Sequence, residues 1–93
     1  MPAIGGEAKT IASKAKSTQE KARRVLQAAA VEAYGRPGVY VARDPVMRRA
    51  GISDPEEFWA IAEYLNWKGC IAESDADYGI FVLTLTGIDE VTK

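Results

Sequence analysis

Between Ala22 and Ala33 the apolar residues Ala22, Val25, Leu26, Ala29 and Ala33 return every three or four positions. That spacing gathers them on one face of an α-helix, and alanine's small size lets a second helix approach closely. Ahead of them, Ser17-Thr18-Gln19-Glu20 has the spacing of a capping box. A helix is therefore expected from about Thr18 to Tyr34, with Gly35 as its left-handed stop. Two Asp-Pro pairs follow, Asp44-Pro45 and Asp54-Pro55, each offering a side-chain acceptor at an N-cap and a proline where a missing N–H costs nothing. They predict a short helix, Pro45 to Ala50, ended by Gly51, and a longer one from Pro55 to about Lys68. Ile52 is placed to plug the corner between them. On the longer helix Phe58, Ile61, Ala62 and Leu65 form the inward stripe, which turns Glu56, Ala60, Glu63 and Trp67 outward with Trp59 and Tyr64 at the flanks.

The period shortens elsewhere. Val39-Tyr40-Val41 is a short β-branched and aromatic run suited to a sheet edge. Phe81, Leu83 and Leu85 alternate, so a strand is expected over Ile80 to Leu85 with those three on its buried face, and Cys70 to Glu73 is its natural partner. The polar run 74–79 between them reads as a hairpin loop. Thr86-Gly87 then turns the chain into a short acidic tail that begins another helical turn. Residues 1–16 carry only Ile4 and Ile11 as larger apolar groups, too few to bury a helix face. A flexible basic arm, transiently helical from Glu7 to Lys16, is expected there, ahead of one domain over 17–93.

The order helix, short strand, helix, turn, helix, strand, loop, strand resembles that of winged helix-turn-helix domains over roughly residues 18–90. Tyr64-Leu65-x-x-Lys68-Gly69-x-Ile71 is similar to the end of their recognition helix entering the wing. Leu83-Thr84-Leu85-Thr86-Gly87-Ile88 is similar to the closing strand of many bacterial and archaeal members. The resemblance implies an α+β, mainly α fold of three helices with a small antiparallel sheet and wing. It also implies a DNA-binding, transcription-regulator-like role, in which the Pro55–Lys68 helix lies in a major groove.

Charge complicates that role. The net charge of −1 hides ten basic against four acidic residues over 1–49, or +6, and two basic against nine acidic over 50–93, or −7. DNA is expected to be held through the basic half, by Arg43, Arg48, Arg49, Lys21 and Arg24 together with Lys68 and an arm carrying Lys9, Lys14 and Lys16. The helix that the resemblance sends into the groove offers Glu56, Glu63 and Trp67 outward, and Glu73, Asp75 and Asp77 follow it in the hairpin. Such a face repels phosphate. The alternative is a protein-interaction or dimerisation module that binds no DNA and docks through Glu56, Trp59, Glu63 and Trp67, where exposed tryptophan marks an interface and Tyr78 can cooperate.

Other chemistry is sparse. A chain of 93 residues allows one small core, and it holds no histidine and one cysteine, Cys70. Imidazole-dependent triads and most zinc sites fall away, and Cys70 reads as a small buried hydrophobe. Glu73, Asp75 and Asp77 lack the loop length and glycine of a calcium-binding loop. No glycine-rich phosphate loop precedes a helix. An enzyme, a cofactor, a metal and a small-molecule substrate are not expected. Without an apolar run of about 20 residues or a signal-peptide core, the expected setting is soluble and cytoplasmic.

Overall fold

A computed structural model describes residues 2–75 and 79–93, with side chains described for 17–73 and 79–93. The elements in chain order are α1 (Pro2–Glu32), β1 (Tyr40–Ala42), α2 (Arg43–Ala50), α3 (Pro55–Trp67), β2 (Ile71–Asp75), β3 (Ile80–Leu83) and α4 (Leu85–Thr92). The fold is α+β and mostly helical, with a three-stranded antiparallel sheet in the order β1-β3-β2.

α1 presents the alanine-rich stripe as expected: Ala22, Val25, Leu26, Ala29 and Ala33 are all buried, joined by Ala28. Its start differs, because the helix runs through Ser17 rather than beginning there. From Glu7 onward no glycine or proline interrupts a run rich in alanine, lysine and glutamate, so a cap-like tetrapeptide within it meets helix on both sides. At the other end Tyr34, with φ 55°, takes the left-handed position ahead of Gly35. Tyr34 N–H donates to Val31 O at 3.1 Å and Gly35 N–H to Ala30 O at 2.8 Å, which closes the helix with paired carbonyls.

α2 also begins earlier than its proline suggests. β1 runs straight into it, the Arg43 N–H donating to Gly79 O at 2.7 Å as the last bond to the hairpin, and Ala42 is the residue at the cap. Pro45 then stands in the first turn, where an amide proton is still unneeded, and Asp44 caps nothing. Gly51 ends α2 at φ 73°, Ile52 is buried in the corner, and Asp54 caps α3 by accepting from the Glu56 N–H at 3.0 Å.

Phe58, Ile61, Ala62 and Leu65 of α3 all lie in the core, as the helical wheel requires. The Phe58 ring meets Phe81 of the sheet at 6.0 Å between centroids. In the sheet, Ile71 faces Leu83 and Val41 faces Phe81, all four buried, while Tyr40, Val82 and Ala72 line up across the other face. β2 carries a bulge between Glu73 and Asp75.

β3 stops at Leu83 rather than Leu85. Thr84 caps α4 by accepting from the Gly87 N–H at 3.1 Å, and Leu85 turns out to solvent. The expected third inward residue is thus the first of a helix. α4 spans eight residues, and Ile88 and Val91 lay its inner side against the core.

Candidate functional site

The residues proposed as an interaction face sit on one helix but in different settings. Trp67, at the C-terminal end of α3, is 83% exposed, and Glu56 and Glu63 are exposed on the same helix. Ala60, Glu63, Tyr64 and Trp67 line a shallow groove of about 310 Å³. Trp59 belongs elsewhere. It is half-buried, edge-on to Phe58 at 5.5 Å, and the Arg43 guanidinium lies 5.8 Å from its ring centroid. Arg43 and Trp59 therefore form a cation–π pair that closes the junction of β1, α2 and α3.

The cations expected to hold phosphate are spread over several surfaces, and three are already engaged. Lys21 is paired with Glu57 of α3, Arg43 with Asp44 at 3.0 Å, and Arg49 with Glu32 at 2.5 Å. Lys68, the residue at the C-cap of α3, folds its ammonium over the Tyr64 ring at 5.6 Å. Arg24 and Arg48 have no ion pair among the described residues. Among the described residues, Arg24 and Arg49 of this set share a groove, which they line with Gln27, Ala28 and Val31 in about 370 Å³ between α1 and α2. Asp77 and Tyr78, and the arm side chains Lys9, Lys14 and Lys16, lie outside the described residues, as does the side chain of Asp75.

Two features had no clear signal in the sequence. Val31 lies off the apolar stripe of α1 and is 54% exposed, which gives the α1–α2 groove an apolar lining beside its arginines. Arg23, Lys68, Tyr64 and Glu90 meet at a separate cleft of about 340 Å³ between α1, α3 and α4. There the Glu90 carboxyl is held below the usual range, first by its hydrogen bond from Lys93, with the Lys93, Lys68 and Arg23 charges adding to it. Both depend on where α4 and α2 pack against α1, which periodicity within a single helix does not encode.

Among the described residues, no three or more histidine, cysteine, aspartate or glutamate side chains converge as metal ligands, and no helix is long and apolar enough to cross a membrane. Compared with known proteins, the chain matches no family, no curated protein and no solved structure.

Proposed function

We propose that this chain is a winged helix domain that works as a protein-docking module through the outward face of α3, and is not a reader of DNA sequence. The helix order, the β1-β3-β2 sheet and the closing hairpin support the winged helix architecture. The observation that carries the docking reading is Trp67. A tryptophan 83% exposed beside Tyr64 and Glu63, on a face that also carries Glu56, is hydrophobic surface without an internal use. Buried aromatic anchors ringed by polar groups supply most of the energy in protein interfaces. The same face offers no arginine, asparagine or glutamine near the start of the helix, where base edges are read, and its carboxylates repel phosphate.

The second reading, a transcription-regulator-like domain holding DNA through its basic half, is favoured by Arg24 on α1 and Arg48 on α2, which have no ion pair among the described residues. It carries less weight because Lys21, Arg43 and Arg49 are each already paired with one of the chain's own carboxylates. Photo-cross-linking separates the two. A benzophenone amino acid at position 67 should give a discrete protein adduct in the source cell that fades when Glu63→Lys is added. Nucleic-acid adducts, or no adduct, overturn the docking reading.

A further inference from the structure

The α3 groove and the α1–α2 groove are complementary. One offers an exposed indole beside the Glu63 carboxylate; the other is lined by apolar Ala28 and Val31 together with Arg24, which has no ion pair among the described residues, and Arg49, which Glu32 engages. We propose that Trp67 of one copy docks in the α1–α2 groove of a second copy, so that the chain associates with itself head to tail. This rests on the docking reading above and names the partner surface.

The chemistry matches at each contact. Tryptophan is the strongest aromatic partner for a planar cation, and a groove of about 370 Å³ that Arg24 and Arg49 help to line is large enough for its ring. Glu63 stands one turn before Trp67 on α3 and rises beside it, within reach of a rim arginine of the second copy. Arg49 keeps donors for this contact, since a guanidinium carries five N–H groups and Glu32 accepts from its Nε. Lys68, the cation next to Trp67, is drawn aside over Tyr64.

The positions of the grooves set the symmetry. On the α1 wheel, Arg24, Gln27, Ala28 and Val31 centre about 140° from Gln19, Ala22, Arg23 and Leu26, which line the cleft that shares Tyr64 with the α3 groove, and about 75° from Ser17, Thr18 and Lys21, which line the one that shares Ala60 with it. The two patches share no residue, so one knob seated in one groove leaves a knob and a groove unfilled, and growth continues or closes into a ring. A single indole and a few ion pairs fall short of the roughly 1,200 Å² of stable complexes, so association is weak, on the order of 100 μM, and weakens with salt.

Sedimentation velocity tests this. The wild-type weight-average coefficient should climb from about 10 μM to about 1 mM without a plateau at dimer, and fall back at high salt. Trp67→Ala, which spoils the knob, and Arg24→Glu/Val31→Glu, which spoils the groove, should each remain monomeric with unchanged circular dichroism. Mixed in equal amounts they should form a dimer and nothing larger, because each keeps what the other lacks. A wild type that is monomeric throughout, a plateau at dimer, or a mixture that stays monomeric overturns the proposal. A cross-link from position 67 to some other protein, with the wild type monomeric, overturns this inference and leaves the docking reading standing.

Discussion

A β-carbon built on Gly87, in the first turn of α4, would stand 2.2 Å from the carbonyl oxygen of Cys70, which also accepts the Thr84 N–H at 3.0 Å. The Cys70 carbonyl is backbone and a β-carbon is fixed by its own backbone, so neither can swing aside. Alanine for glycine within a helix ordinarily gains about 0.5–1 kcal/mol. Here Gly87→Ala should lose about 1–3 kcal/mol, because α4 must lift from the sheet edge and loosen Ile88 and Val91. A urea midpoint that rises would show that α4 does not pack there. Cys70 itself is buried, and burial pushes its thiol up, outweighing the Lys68 charge that pulls it down. A group that holds its proton more tightly when folded contributes stability that is complete below the unfolded thiol value, roughly 8.5, and is lost as pH rises through the folded value. The urea midpoint should therefore be flat from about pH 7 to 8.5 and decline above that. Cys70→Ala should remove the decline; one that persists unchanged would assign it to another group.

At the level of elements, the two Asp-Pro pairs separate what the sequence makes legible from what it does not. They are alike in sequence, yet Asp54 caps α3 and Asp44 caps nothing. Asp54→Ala should cost about 1 kcal/mol, the usual price of a lost N-cap. Asp44→Ala should cost at most about 0.5 kcal/mol, since it loses only an exposed pair with Arg43. Equal losses in thermal melts would contradict the cap assignment. The difference lies in what precedes each pair: Asp54 follows a free turn, whereas Asp44 follows a strand whose pairing to the hairpin carries the backbone into the helix one residue early. Leu85 shows the same limit. Its alternation with Phe81 and Leu83 fits a strand, but the Thr84 hydroxyl, donating to Gly69 O and accepting from Gly87 N–H, ends the sheet first. Stripes such as Phe58, Ile61, Ala62 and Leu65 are legible because burial follows the period of a single helix. The α1–α2 groove is not, since its lining comes from two helices whose packing no local pattern specifies.

Across the whole molecule, the +6 and −7 halves of the chain meet in the fold, since α1 packs against both α3 and α4. Lys21 of the first half is tied to Glu57 of the second, and Arg49 is tied within its own half to Glu32. What is left outward on α3 is acidic, and that residue of charge can be tested directly against the proposed architecture. If α3 has the place of a winged helix recognition helix, its carboxylates are what keep DNA away, and reversing them should let the groove be entered. Glu56→Lys/Glu63→Lys changes the net charge from −1 to +3 at two exposed positions, so stability should move by no more than about 0.5 kcal/mol. Fluorescence anisotropy with mixed-sequence duplex at about 50 mM salt should then show affinity at least tenfold above wild type. The plot of log affinity against log salt should steepen by about 2, one unit for each new phosphate contact. A gain in affinity without the steeper slope would mean diffuse attraction rather than contact. No gain at all would mean that the α3 face is not shaped to meet a duplex, which would remove the winged helix analogy for that face while leaving the docking proposal untouched.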